Sequence, residues 1–153
     1  MEHTASLVRN RKARHNYHIL DSWEAGIALR GTEVKSIRDR KVSFTDSYAR
    51  VRNSELWLIG MHISPYERGT HFNHDPERDR KLLMHSREIE RIRKQIEEQG
   101  LTLVPLSLYL KNGRVKVEIG LAKGKQLHDK RHDKSERDAK REMDRATKRR
   151  IRE

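Results

Sequence analysis

Trp23, Ala25, Ile27 and Leu29 alternate with Glu24, Gly26, Ala28 and Arg30. A period of two sends successive side chains to opposite faces, which predicts a strand buried on its first set. Tyr17, Ile19 and Leu20 open this strand and Gly31 breaks it. The second face is flat, because Gly26 and Ala28 are small, and Glu24 and Arg30 are its only functional groups. Thr32 is placed to cap a short helix with Val34 and Ile37 on one side, ended by Asp39-Arg40-Lys41. Residues 47–52 and 56–63 read as a hairpin around Asn53-Ser54-Glu55, with Trp57, Ile59, Met61 and Ile63 sharing a face. Pro65 stops the second strand, and residues 64–75 are polar enough for a loop. Asp75-Pro76 has the form of a helix start, followed by Arg78, Arg80, Lys81 and Leu82-Leu83-Met84. Ser86 then opens a longer helix with Ile89, Ile92 and Ile96 on one stripe and a stop at Gly100.

The last hairpin carries the clearest pattern. Val104, Leu106, Leu108 and Leu110 alternate with Ser107, Tyr109 and Lys111. Asn112-Gly113 suits a two-residue type I′ turn, and Val115, Val117, Ile119 and Leu121 return with Lys116 and Glu118 outside. The pattern predicts a mostly β (α+β) chain of six strands, two short helical turns and one full helix. Short antiparallel strands with a helix before the last pair point to a six-stranded antiparallel closed barrel of the oligonucleotide/oligosaccharide-binding (OB) type, with Leu106, Leu108, Leu110, Val115, Val117 and Ile119 turned inward.

The pattern breaks at residues 120–134. From residue 122 to 153 there are thirteen Lys/Arg and seven Asp/Glu, and the apolar residues are Ala122, Leu127, Ala139, Met143, Ala146 and Ile151. Those cannot bury enough area to offset chain-ordering entropy, so the tail is expected to be disordered, or a frayed helix, when free. The organisation read from the sequence is a flexible N-terminus (1–8), a barrel (9–121) and a basic tail (122–153).

Charge decides the partner class. The 153 residues carry a formal +12, and 38% are charged. A polyanion is the implied partner, nucleic acid before an anionic membrane, because the tail has no bulky apolar face to lay on lipid. The longest apolar stretch, 101–110, is interrupted by Thr102, Pro105 and Ser107 and is too short to span a bilayer. Residues 1–12 lack the apolar run of a signal peptide, and with no cysteine there is neither a disulfide framework nor a thiol nucleophile. A cytoplasmic location fits both.

Candidate chemistry is sparse. His71-x-x-His74-Asp75 and His128-x-x-x-His132 lack a third and fourth ligand nearby, so solvated or RNA-stacking imidazoles suit them better than a metal, and no cofactor is implied. Gly120-Leu-Ala-Lys-Gly-Lys-Gln126 is one residue short of a phosphate loop and has Gln126 where Ser or Thr must hold magnesium. No catalytic constellation stands out, and the chain reads as a binding protein rather than an enzyme. Arg11, Lys12 and Arg14 sit in a basic run at 9–16, suited to phosphates or merely solvated. Glu24, an acid on a flat face of a basic protein, either pairs with Arg30 or accepts hydrogen bonds from a base edge.

These residues also form stretches that resemble the SsrA-binding protein family, also called small protein B. They are Asn10-Arg-Lys-Ala-Arg-His15-Asn-Tyr17, the run from Glu24 through Gly31-Thr-Glu-Val-Lys-Ser-Ile-Arg38, Asp46-Ser-Tyr48, His62-Ile-Ser-Pro-Tyr66, Asn73-His-Asp-Pro-x-Arg-x-Arg-Lys-Leu-Leu83 and Gly120-Leu-x-x-Gly-Lys-x-x-His-Asp-Lys-Arg131. The resemblance spans nearly the whole chain from Asn10. It implies binding to the transfer-RNA-like end of transfer-messenger RNA, in place of a missing anticodon arm. It also implies delivery of that RNA, with elongation factor Tu on the charged complex, to stalled ribosomes for trans-translation. The protein is expected to be a monomer. By this resemblance Asn10, His15, Glu24 and Leu83 contact the RNA; Arg11, Lys12, Arg14 and Lys81 are expected to bind it alongside them as cations. Gly124, Lys125, His128, Asp129, Lys130 and Arg131 serve in the message channel, with His128 stacking on a base at the decoding centre and the tail becoming helical there. Two positions depart from the family pattern: Gln126 stands where a second lysine is usual, and Arg40 where a glycine commonly ends the first short helix. The alternatives are a barrel-type ribosome-associated structural or initiation protein with no dedicated RNA, and an RNA-processing enzyme.

Overall fold

The structure, a computed structural model, describes residues 4–66 and 73–125. His71, Gln126, His128, Asp129, Lys130, Arg131 and His132 lie outside the described residues. In chain order the elements are β1 (Thr4–Arg9), α1 (Arg11–Asn16), β2 (Tyr17–Ile27), α2 (Gly31–Arg38), β3 (Val42–Ser43), β4 (Tyr48–Arg52), β5 (Glu55–Ile59), β6 (His62–Ile63), β7 (Arg80–Leu83), α3 (Ser86–Gln99), β8 (Thr102–Lys111) and β9 (Arg114–Gly124). The chain is mostly β with three helices, as the alternation predicts, but the described residues hold nine strands rather than six.

One sheet runs β1-β8-β4-β5-β7-β2-β9, with β8 also paired to β9, and β3 pairs with β6 in a second, two-stranded sheet. The large sheet wraps a core that includes Ala25, Ile27, Leu56, Leu58, Leu82, Leu103, Leu108, Val117 and Ile119. Ile37 of α2 and Ile89 and Ile92 of α3 plug into it. Each fully buried branched side chain contributes about 1.5–3 kcal/mol, which fixes the strand register. The hairpin turn falls where expected, with Asn112 and Gly113 both at positive φ.

Several details depart from the sequence pattern. Residues 4–9 are not a free N-terminus: they form β1, pairing with 107–111 of β8. Arg11–Asn16 is a helix held by its single buried residue, Ala13, a signal too slight for a periodicity test. Asp75-Pro76 does not open a helix. The Asp75 carboxylate accepts the Glu77 N–H at 3.0 Å, so the capping chemistry is spent on one turn, and Arg80 leads into β7. The face assigned to residues 56–63 is inverted in its first half, since Leu56 and Leu58 are fully buried while Trp57 and Ile59 are half-exposed. Gly60, at φ +82, reverses the phase, and Met61 and Ile63 return to the core. Leu106 likewise leaves the inward set. A bulge between Pro105 and Ser107 throws it to the outside, where Leu106, Val104, Ala13 and Ala122 form a second small cluster beneath α1.

The Arg40 departure has a structural answer. The Arg40 N–H donates to Ile37 O and the Lys41 N–H to Ser36 O, the paired bonds that close a helix through a left-handed residue. Arg40 supplies that residue itself, at φ 60. The start of α2 also differs from expectation: Arg30, not Thr32, precedes the helix, and the Glu33 carboxylate accepts the Arg30 N–H at 2.8 Å. Thr32 instead meets His74 Nδ1 at 2.9 Å, and His74 Nε2 donates to Ile63 O at 2.9 Å. Both ring nitrogens of this buried histidine are thereby engaged, so it clips α2 to β6.

Candidate nucleic-acid interface

Asn10 ends β1 and starts α1. Its backbone N–H donates to Leu106 O at 2.8 Å and its side-chain Nδ2 to Pro105 O at 2.7 Å. Asn10 therefore locks the basic helix to the β8 bulge, where proline has removed a ladder donor. With Ala13 buried against Val104 and Leu106, Arg11, Lys12, Arg14 and His15 are left exposed. The short helix displays cations on every side but one. Arg9, Arg11 and Arg14 line a surface groove that ends at Ser107, Tyr109 and Glu118 on β8 and β9. Lys12 and Asn16 face a different groove, toward Ser43, Thr45 and Asp46.

Glu24 stands on the outer face of β2, directly across from Glu118 of β9. It does not pair with Arg30. The Tyr109 hydroxyl donates to Glu24 Oε2 at 2.6 Å, and Lys111 Nζ lies 3.4 Å from both carboxylate oxygens. The Tyr109 hydrogen bond, together with Lys111, holds the Glu24 carboxyl below its usual range despite slight burial. Burial and the nearby Glu24 and Glu118 carboxylates push the Tyr109 phenol far up, so it stays protonated and donating. Tyr109 and Lys111 were legible only as outward residues of β8. Their reach to Glu24 crosses β9, which no local spacing reveals.

Two residues beyond Glu24 on β2, Gly26 pairs with Leu83 of β7 and with Lys116 of β9. A Cβ at Gly26 would lie 3.2 Å from Leu83 Cβ, so the missing side chain lets Leu83 sit against β2 while remaining 52% exposed. A leucine that open to solvent beside an ionised acid and cations is a contact surface in search of a flat partner. Lys81 points out on the same strand but is tied to Glu55 of β5, with Nζ 3.3 Å from its carboxylate. Next to it Trp57 packs under the Arg52 guanidinium, 4.7 Å from the ring centre.

The groove and the β2–β9 register bring Arg11, Arg14, Glu24 and Leu83 onto one connected surface. His15 is exposed on the same helix with no described contact to that surface, and Lys81 lies toward β5. Gly124 and Lys125 sit at the other end of β9. Gly124 pairs with Tyr17, and the Lys125 N–H donates to Asn16 O at 2.9 Å, so Lys125 lies beside the end of α1.

A β-rich body with this cationic helix and groove defines a small polyanion-facing protein. The chain belongs to the SmpB family, whose model, SmpB protein, matches residues 7–149. It is 60% identical over 140 residues to the SsrA-binding protein of Carboxydothermus hydrogenoformans, covering 92% of this chain and 94% of that one. It is 58% identical to the SsrA-binding protein of Pelotomaculum thermopropionicum, over 95% of each chain. A solved chain described as tmRNA-SmpB on a journey to the centre of the bacterial ribosome matches with a TM-score of 0.68 and 52% identity, over 80% of this chain and 87% of that one.

Proposed function

We propose that this protein binds transfer-messenger RNA and accompanies it to stalled ribosomes for trans-translation, acting in the cytoplasm as a binding protein and not as an enzyme. The observation that carries the reading is Glu24, an acid kept ionised and oriented on a +12 chain by Tyr109, which itself lines a groove walled by Arg9, Arg11 and Arg14. Phosphates meet the arginines, Glu24 accepts from amino or imino groups of an unstacked base, and Leu83 covers an apolar base or sugar face. His15 and Lys12 add contacts on the flanks of α1. The family relatives and the solved tmRNA-SmpB chain support the same reading.

The proposed organisation is a body and a basic tail, with the boundary moved from 121/122 to just past Lys125, which the extent of β9 to Gly124 supports. A closed OB-type barrel is the architecture proposed for the body; the succession of pairings β8, β4, β5, β7, β2 and β9, with β9 also pairing β8, supports it. Gly124, Lys125, His128, Asp129, Lys130 and Arg131 then serve the message channel, the tail folding as its cations meet ribosomal phosphate, and elongation factor Tu joins through the charged RNA. Sequencing the RNA retained by the purified full-length protein tests the assignment. One discrete structured RNA with a transfer-RNA-like end is expected; a spread of ribosomal fragments sinks the reading.

A further inference from the structure

We infer that Tyr109 is a positioning residue for RNA recognition: its hydroxyl fixes the plane of the Glu24 carboxylate and leaves Oε1 turned to the base. The inference rests on the proposal that Glu24 meets the RNA.

The geometry sets two influences against each other. Glu118 lies directly opposite Glu24 in the β2–β9 ladder, and like charges in such a pair repel. An exposed glutamate so placed would swing away, and three rotatable bonds allow it. Tyr109 prevents this. It stands on β8, opposite Lys116 of β9, and reaches diagonally over β9 to take Oε2 at 2.6 Å. A phenol has two side-chain torsions and a rigid ring, so its oxygen is a well-defined anchor. Lys111, equidistant from both oxygens, balances charge without choosing an orientation. The choice belongs to the phenol. With Oε2 engaged, Oε1 is the oxygen with the fuller set of open lone pairs, and a base edge presenting N–H groups is the ligand chemistry that fits it. The Tyr109 ring also walls the groove lined by Arg9, Arg11 and Arg14. One side chain thus joins the phosphate-binding cations to the base-reading acid.

The test is a double-mutant cycle with the full chain and the transfer-RNA-like domain of transfer-messenger RNA. Affinities are measured for wild type, Tyr109→Phe, Glu24→Ala and the double variant, at temperatures well below every melting midpoint. An unrelated RNA hairpin of equal length serves as the non-specific reference. Tyr109→Phe keeps the ring and loses only the donor. It is expected to weaken cognate binding by about 5–30-fold, within the discrimination carried by one good base contact, and to leave the reference affinity unchanged. In the Glu24→Ala background the same change should cost less than about 2-fold. If Glu24→Ala weakens binding but Tyr109→Phe does not, the positioning role is wrong while the Glu24 assignment stands. An equal loss in both backgrounds, or an equal loss on the reference hairpin, makes Tyr109 an independent contact and overturns the inference. If Glu24→Ala leaves binding unchanged or tightens it, the Glu24 assignment falls first and the inference with it.

Discussion

Arg40 holds a left-handed conformation at the end of α2, a place where a Cβ meets the neighbouring carbonyl. The motif is complete around it, so glycine would relieve strain without losing either closing bond. Arg40→Gly should raise unfolding stability by about 0.5–1 kcal/mol, read from denaturant melts; an unchanged or lower midpoint means the arginine makes a compensating contact. Glu33 is the opposite case. It is fully buried and receives Arg78, Arg80 and the Arg30 N–H, while Arg80 also donates to Met61 O at 2.7 Å. Burial pushes the Glu33 carboxyl up, but the hydrogen bonds from Arg78, the Arg30 backbone and Arg80 outweigh it and hold it below the ordinary 4.5. A depressed carboxyl contributes stability that is present above 4.5 and is lost as pH falls through the folded value. Glu33→Ala leaves two arginines without their counter-ion and should cost about 3–5 kcal/mol at neutral pH, and the acid limb of the stability curve should flatten. Sequence patterning did not show this network, because Glu33 lies 45 and 47 positions from its two arginine partners and each looks like an ordinary surface charge.

At the scale of elements, alternation was a good guide wherever a strand kept its phase. On β2 and β9 the inward residues Ala25, Ile27, Val117 and Ile119 are those the pattern selects. It misled at Gly60 and at the Pro105–Ser107 bulge, where a single residue shifts every side chain to the other face. A Cβ on Gly60 would lie 2.8 Å from Asp46 O at positive φ, so Gly60→Ala should destabilise by about 1–3 kcal/mol. The bulge makes a sharper distinction between neighbours. Leu108→Ala opens the main core and should cost about 2–5 kcal/mol, whereas Leu106→Ala should chiefly loosen α1 from β8. Hydrogen exchange at α1 amides after Leu106→Ala, with the β8–β9 ladder still protected, checks that separation. The site was legible as residue types: a basic run, a lone acid and a leucine before the long helix. Their assembly was not, since α1 depends on one alanine and Glu24 on partners reached across an intervening strand.

For the whole molecule, charge and architecture divide the work. Replacing Arg11, Lys12 or Arg14 by alanine should weaken RNA binding at low salt and lower the log–log salt slope by about 0.7–0.9 per phosphate contact removed. Ending the chain after Lys125 should leave a folded body that keeps most of its RNA affinity but no longer supports peptide tagging in a reconstituted translation system. Asp129→Ala with Lys130→Ala should do the same with net charge unchanged; retained tagging in either protein refutes a separate role for the tail. The junction itself has a mechanical side. β9 runs from Arg114 to Gly124 between β8 and β2, and Lys125 is tied to Asn16. Ladder hydrogen bonds lie across the strand axis. A pull on the chain past Lys125 therefore loads β9 lengthwise, and both neighbouring ladders resist in shear, their rungs sharing the force instead of peeling singly. Tension applied from the C-terminal side is delivered to the strands that present Tyr109 and Glu24, without first unravelling the body.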